Sequence, residues 1–491
     1  MDGERTPRSR PWRFDLVLSA DRTVSRQTQI VRAVIHEIQR GRLGPGAQLP
    51  GSRTLAAQLS VNRKVVVAAV DELVAQGWLE TRPARGVHVA EHLPTLAVAD
   101  VDSPKPRPVA ARAPRVGALT IDDGIPDARI APLDELARAY RRALRSLGRA
   151  GLGYGDPAGD PRLREVLSGF VNQARGLSSR PEQLVLTRGS QGALGVYALA
   201  TLRAGDVVAV ESPGYRPAWR AFELAGARIE PIPVDGEGLR TDALEARARA
   251  LRGRLKAVYV TPHRHYPTTV SMTAERRLHL QELAERFDLT IVEDDYDYEY
   301  HFDGAPLLPL SASPPGANRC VYIASFSKLL APAIRLGYMV VGPEVATRVG
   351  RTLEVLGRQG DVVLERAIAE MFEDGLIQRH ARRARRLYEE RRDRLLGELA
   401  ARSALARAFS YDVPAGGLSL WIRLRRGTAE SLARRAETRG VMLTPGSAHL
   451  AAGALAAFRF GYAAHTPAET RRVLDVLEAC VVGNPTQRSR R

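Results

Sequence analysis

The segment SFSKLLAPAIRLGY (325–338) places Lys328 just after one strand-like run and just before another. A lysine in that position can form a Schiff base with an aldehyde cofactor. The hydroxyls of Ser325 and Ser327, and Arg335 seven residues on, can hold a phosphate. A second cluster, EDDYDYEY (293–300), closes another apolar run. Asp294 there can face a pyridine nitrogen and keep it protonated, and Tyr296 can hydrogen-bond the ring's phenolic oxygen. Asp297 and Glu299 read as an acidic loop, solvated or binding a cation. A third segment, TRGSQGALGVYAL (187–199), reads as strand, turn and helix start. Backbone N–H groups at that helix start, with Ser190 and Gln191, suit a phosphate.

Two further stretches bear on chemistry. The loop at 261–269 runs Thr261, Pro262, His263, Arg264, His265, Tyr266, Pro267, Thr268 and Thr269. Its two histidines read as satisfied loop residues, with effector ligation as the other reading. The run QRHARRARRLYEERRDR (378–394) reads as a solvated helix face with internal ion pairs to Glu389, Glu390 and Asp393. An accessory DNA contact is the alternative.

Positioning these groups takes a sheet. The runs QLVLT (183–187), VVAVES (207–212), AVYVTP (257–262), LTIVEDD (289–295), CVYIASF (320–326) and LGYMVVG (336–342) alternate with helical segments. That pattern predicts a mostly parallel α/β sheet. After about residue 345 the texture is mainly helical, with short strands in GLSLWIRL (417–424) and FRFGYA (458–463), which predicts a smaller α+β lobe.

Ahead of this lies a different module, predicted over 22–90. Ile30, Val34, Ile35 and Ile38 fall at helical spacing, and Gly41 offers a stop. Ser52 is expected to N-cap a short helix, and Asn62 the next one, 63–77. Two helices joined by a turn make a helix-turn-helix. Arg63, Lys64 and Val67 stand near the start of the second, where base edges are read. WLETRPARGVHVA (78–90) reads as a two-stranded wing, with Arg82 and Arg85 at its tip for phosphates. Residues 1–90 hold 14 Arg+Lys against 8 Asp+Glu, and the whole chain of 491 residues carries a formal charge of +17. Such a surplus suits a polyanionic partner such as DNA, although an arginine-rich composition alone would also produce it. Residues 91–119, rich in Pro, Ala and Val, read as a linker. Cys320 and Cys480 form neither a metal spacing nor a disulfide framework, so no metal is expected and a reducing cytoplasm fits. No apolar run is long enough for a membrane span.

The N-terminal stretch resembles the GntR-type winged helix through Leu49-Pro50, Ser52-Arg53, Leu55-Ala56, Leu59, Val61, Arg63, Ala69, Leu73, Gly77, Leu79 and Gly86. It departs from that family at Asn62-Arg63-Lys64-Val65, where Ser-Arg-x-Thr is usual, and in the wing. Residues 120–485 resemble fold-type I pyridoxal-phosphate enzymes, the aspartate aminotransferase superfamily. That resemblance implies Lys328 as the internal-aldimine lysine and Asp294 as the pyridinium partner. It also implies Tyr296 at the ring oxygen, and Ser190, Gln191, Ser325, Ser327 and Arg335 as the phosphate cup. Tyr215, in ESPGY, would cover the ring. Tyr154 would reach the neighbouring subunit's phosphate, and Arg459, in FRFGY, would grip a carboxylate. The 261–269 loop resembles the Thr-Pro-x-His-Gln-(Tyr/Phe)-Pro form of MocR-type regulators rather than the Asn-Pro-x-Asn-Pro-Thr-Gly of aminotransferases. Arg264 and His265 stand where that form has His and Gln. The order of the two modules is similar to the MocR-type branch of the GntR superfamily. What that implies is a winged helix on double-stranded operator DNA, pyridoxal 5′-phosphate in the large domain, an amine or amino-acid effector, or the cofactor itself, as signal, and a domain-swapped homodimer. A true aminotransferase with an accessory N-terminal module is the alternative.

Overall fold

A computed structural model describes residues 16, 18, 23–93, 118–121, 124–149, 151, 153–304, 307–313, 319–357 and 360–482. The chain divides into two compact units, residues 1–112 and 113–491. Most of the expected linker, 94–117, lies outside the described residues.

In the first unit, helix α1 (Arg26–Gln39) buries Ile30, Val34 and Ile38, with the Ser25 side chain capping its start. Helix α2 (Ser52–Gln58) and helix α3 (Arg63–Ala75) follow. Strands β1 (Leu79–Arg82) and β2 (Gly86–Val89) pair antiparallel to make the wing. Leu55, Val66, Ala69, Leu73, Trp78 and Val89 close one apolar core with α1. Ser52 is not the cap expected of it. Gly51 occupies the N-cap of α2, and Ser52 is the first helical residue, its Oγ accepting a bond from Arg63 Nε at 3.2 Å. Asn62 does cap α3, accepting from the Lys64 N–H at 2.9 Å.

The second unit begins with β3 (Leu119–Thr120), α4 (Leu133–Leu147) and α5 (Pro161–Arg175). Its large sheet comprises β4 (Leu184–Thr187), β5 (Val207–Ser212), β6 (Arg228–Asp235), β7 (Gly238–Leu239), β8 (Leu255–Val260), β9 (Thr290–Asp294), β10 (Cys320–Ser325) and β11 (Gly337–Val340), with helix α6 (Gly189–Thr201) after β4. The strand order is β4-β11-β10-β9-β8-β5-β6-β7. Strand β11 runs antiparallel to both its neighbours, so β4, β10, β9, β8, β5 and β6 all point the same way. Helices cover both faces, which is why these strands read as unbroken apolar runs rather than as alternation. Val258, Tyr259, Ile291, Val292 and Ile323 are fully buried.

The smaller lobe has an antiparallel sheet of β12 (Phe409–Ser410), β13 (Ser419–Leu424) and β15 (Ala457–Gly461). Helices Leu376–Ala401 and Pro467–Val482 pack on it. The start of the unit belongs here as well: β3 pairs with β14 (Val441–Met442), and Ile121 joins the small-lobe core. Helices Pro343–Val355 and Val362–Glu373 instead pack on the large lobe, so the small-lobe core starts nearer residue 376 than 345. Among the described residues no helix is long and apolar enough to cross a membrane, and no cluster could hold a metal.

Candidate functional site

In an open α/β sheet, ligands bind where the parallel strands end. Here the C-terminal ends of β4, β5, β8, β9 and β10 deliver Ser190, Tyr215, Thr261, Asp294 and Lys328 to one cavity of about 460 Å³. The same cavity is lined by Gln191, Tyr296, Ser325, Ser327 and Arg335. Nine of the residues expected to hold a cofactor are thus together, and Tyr154, expected at the neighbouring subunit's phosphate, and Arg459, expected to grip a carboxylate, do not line the cavity. Tyr154 is 86 % exposed and lies away from the cavity, and Arg459, 2 % exposed, lies behind its wall.

At one end the cavity suits an anion. Helix α6 starts at Gly189 with no side-chain cap, so its first-turn N–H groups are open to an acceptor. Gly189 has φ +73°, and a Cβ on Gly337 would come within 2.8 Å of its Cα. Glycine at both positions lets β11 pass beside the turn. Arg335 is fixed by a 2.8 Å bond from Nη2 to the Arg188 carbonyl, and Ser325 Oγ accepts from the Ser327 N–H at 3.1 Å. Gln191 Nε2 bonds the Pro217 carbonyl, while its buried Oε1 has no partner.

The other end is acidic and aromatic. Asp294 Oδ2 accepts from the Tyr259 hydroxyl at 3.0 Å, but Oδ1 is buried without a hydrogen bond. Burial drives the Asp294 carboxyl up to about 7; the Tyr259 bond opposes this, nearby Asp295 and Asp297 add to it, and Lys328 opposes it. A cationic ring N–H facing Oδ1 would satisfy the orphaned oxygen and favour its ionised form. The Tyr296 hydroxyl is likewise buried without a hydrogen bond. An aromatic ring with an acceptor oxygen, a basic ring nitrogen and a phosphate therefore fits the groups present. This arrangement can hold such a ring, present Lys328 to a carbonyl carbon, and admit a second small molecule beneath the small lobe, whose Thr444, Ala448 and His449 line the outer wall.

The loop after β8 resolves differently from the sequence reading. Arg264 is buried, donating from Nε to Asp297 Oδ1 at 3.0 Å and from Nη2 to the Asp297 carbonyl at 3.1 Å. A Cβ on Gly416 or Gly417 of the small lobe would lie within 2.7 Å and 2.9 Å of it, so the loop there must be glycine. Asp297 is thus a buried ion-pair partner, not a solvated acid. Glu299 is also paired, with Arg175, whose guanidinium stacks on Tyr298. His265 Nδ1 bonds Thr268 Oγ1 at 2.7 Å, and its Nε2 lies 3.6 Å from Glu211. Burial pushes His263 and His265 down to about 3, so both are neutral at neutral pH. Only His265 Nδ1 is satisfied as the sequence reading expected; the Nε2 of each histidine is buried without a hydrogen-bond partner. Glu211, on β5, accepts from the Thr261 N–H and hydroxyl, and burial lifts its carboxyl to about 8. Tyr259, Glu211 and the rim residue Arg216 were absent from the sequence reading. A lone tyrosine inside the aliphatic run of β8 was the available signal for Tyr259.

In the first unit, Arg53, Asn62, Arg63, Lys64 and Arg85 are exposed around α2, α3 and the wing turn. Arg82 is held differently: its guanidinium bonds Glu80 and Glu91, which neutralise it in place. On helix Leu376–Ala401, Arg391 pairs with Asp127, and Arg392 pairs with Asp303 and Asp393. Glu389 and Glu390 take no ion pair among the described residues, while Arg379, Arg382, Arg383 and Arg386 face solvent.

Comparison with known proteins covers both units. The family of class I and II aminotransferases matches residues 124–477, and the gntR family of bacterial regulatory proteins matches residues 26–89. The chain is 33 % identical over 444 residues to the probable rhizopine catabolism regulatory protein MocR of Rhizobium meliloti, covering 88 % of each. It is 32 % identical over 378 residues to the pyridoxine biosynthesis transcriptional regulator PdxR of Corynebacterium glutamicum, covering 77 % of this chain and 79 % of that one. The kynurenine aminotransferase of Pyrococcus horikoshii superposes with a TM-score of 0.70 at 26 % identity, over 76 % of this chain and 92 % of that one.

Proposed function

Because this chain belongs to the MocR-type branch of the GntR regulators, a winged helix followed by a class I and II aminotransferase domain, we propose that it is a DNA-binding transcription regulator whose pyridoxal-phosphate site senses an amine, an amino acid or the cofactor itself. The observation that carries the sensor half is Asp294, which lines the same cavity as Lys328 and keeps its Oδ1 buried without a hydrogen-bond partner. Pyridoxal phosphate, when bound, supplies an aldehyde that reacts with amines and a protonated ring that withdraws electrons. Lys328 is the amine that would hold it. The α6 N-terminus with Ser190, Ser325, Ser327 and Arg335 would take its phosphate. Asp294 would keep a proton on the ring nitrogen, Tyr296 would face the ring oxygen, and Tyr215 would cover one face.

The reading half is α3 and the wing. Arg63 and Lys64 at the start of α3 reach for base edges, and Arg53 and Arg85 for phosphates. Two such heads on a homodimer would meet a repeated or palindromic operator. The exposed Leu133, Tyr140 and Leu144 of α4, with Tyr154, support a subunit contact on the large domain. A ligand changes operator binding only if it binds two states of the protein unequally, by roughly 1–3 kcal/mol in typical cases.

Titration of the full chain onto the DNA upstream of its own gene tests the proposal, first with and without pyridoxal phosphate and then with candidate amines. Sequence-specific binding that either ligand alters is the expected result. A protein that takes up the cofactor, binds no specific DNA and turns over an amino donor with a 2-oxo acid would be an aminotransferase instead.

A further inference from the structure

The Asp294 carboxyl is held by one bond. Strands β8 and β9 run parallel with Tyr259 opposite Val292, so Asp294, two residues past Val292, shares a sheet face with Tyr259. That diagonal brings the Tyr259 hydroxyl to Asp294 Oδ2 at 3.0 Å, and among the described residues no other hydrogen bond reaches the carboxyl. The neighbouring acids have donors of their own. Asp295 accepts from the Tyr322 hydroxyl, Asp297 from Arg264, and Glu211 from Thr261. The Tyr259 ring is fully buried, with Phe222 of the helix Arg216–Leu224 edge-on at 5.9 Å, so its hydroxyl is fixed where it stands.

A buried carboxyl with a single donor has two states open to it. Ionised, it only accepts: Oδ2 takes the tyrosine hydroxyl and Oδ1 is left for a cationic N–H. Protonated, it can itself donate, and a ring nitrogen bonded to it then stays neutral. Burial and the charges of Asp295 and Asp297 favour the protonated state, while Tyr259 and the charge of Lys328 oppose it. Glu211, protonated through its own burial, adds no charge at neutral pH. Of the two groups that favour the ionised state, only Tyr259 is bonded to the carboxyl.

We propose that Tyr259 is a positioning residue for the cofactor: by donating to Oδ2 it commits Asp294 to accept at Oδ1, and so places the proton shared with a ring nitrogen on the nitrogen. The proposal rests on the cofactor site described above and deepens it. An Asp294 that kept the proton would still bind the ring, but would not make it withdraw electrons. Tyr259 acts through Asp294 alone, so its contribution exists only for a ligand with a basic ring nitrogen.

The test is calorimetric titration of two ligands into the cofactor-free full chain: pyridoxal 5′-phosphate, and its 1-deaza analogue, in which a C–H replaces the ring nitrogen. A hydrogen bond to a charged acceptor exceeds one to a neutral acceptor by enough to change Kd about tenfold. Tyr259→Phe keeps the ring against Phe222 and removes only the donor. It should bind pyridoxal phosphate about tenfold more weakly than wild type and the analogue with unchanged affinity. In an Asp294→Asn background, Tyr259→Phe should cost neither ligand anything. Tyr259→Leu replaces the phenylalanine variant if that one is unstable. Equal losses on both ligands would mean that Tyr259 only supports the cavity wall, and would overturn the proposal. So would an unchanged affinity for pyridoxal phosphate, or a loss that persists in the Asp294→Asn background. A wild type that binds both ligands alike would overturn the pairing of Asp294 with a ring nitrogen as well. No DNA is present in the titration, so an operator that ignores every amine would sink the sensor reading and leave this result standing.

Discussion

Glu211 gives the sharpest energetic prediction. Its carboxyl is fully buried on β5, with Oε2 accepting two bonds from Thr261 and Oε1 accepting none. Burial raises it from 4.5 to about 8, so the folded chain holds this proton through neutral pH, whereas the unfolded chain releases it. The unfolded state therefore binds fewer protons above the ordinary carboxyl range, and stability falls as pH rises from there until it levels past about 8. For a single group with these two values, the loss is about 2 kcal/mol near pH 6 and nearly 5 kcal/mol near pH 9. Glu211→Gln keeps an oxygen for Thr261 and has no proton to lose. The stability gap between variant and wild type should therefore widen by about 3 kcal/mol across that range, or about 4 °C in Tm for a unit of this size. Glu293 and Asp294, both raised to about 7, slope the same way; Glu293 is common to both proteins and cancels in the difference, whereas the repulsion between Asp294 and Glu211 exists only in wild type and adds to the widening. Thermal unfolding of the cofactor-free chain across pH measures it. A gap that stays constant from about pH 6 to about pH 9 would refute the claim that Glu211 is held protonated.

Four other outcomes follow from the same geometry. Arg264→Gln strips a buried partner from Asp297 and should cost about 3–5 kcal/mol in denaturant unfolding; Arg264→Gln/Asp297→Asn should recover much of it. Lys328→Ala should fail to keep a visible cofactor band after dialysis, and its operator binding should stop responding to amines. Asn62→Ala removes the cap of α3 and should lower the stability of the winged helix by about 1 kcal/mol, read as a lower unfolding midpoint of that unit. Arg63→Ala should weaken operator binding by about 1–3 kcal/mol and relax sequence preference at one position, both measurable on a panel of single-base operator variants.

What the sequence made legible was chemistry that a ligand dictates. Lys328 and Asp294 stand out because an aldehyde and a pyridine nitrogen each demand one residue type at the end of a strand, and strand ends can be read from apolar runs. The Asn62 cap was legible for a similar local reason: its bond spans two residues. Groups answering only to distant partners were not. Asp297 looked like a solvated acid because its neighbours in sequence are acids and tyrosines, yet its real neighbour is Arg264, 33 residues earlier. Ser52 looked like a cap because serine before a helix usually is one, but Gly51 took that place and left the hydroxyl to Arg63, 11 residues away. Arg82 read as a phosphate ligand, and the sequence did not show that Glu80, two positions along the same strand, and Glu91 stand against its guanidinium. The Arg264 departure from the MocR-type pattern shows why such pairs matter for function. It joins the loop that borders the cavity, the segment carrying Asp294 and Tyr296, and the Gly416–Gly417 turn of the small lobe in one buried contact. The Gly417 N–H also donates to the Tyr300 carbonyl at 2.7 Å, so a movement of the small lobe over a ligand must either carry the segment after Asp294 with it or break that bond, while the Arg264–Asp297 pair, held between two large-lobe loops, stays whole. A buried backbone bond left unmade makes the second course the costlier one.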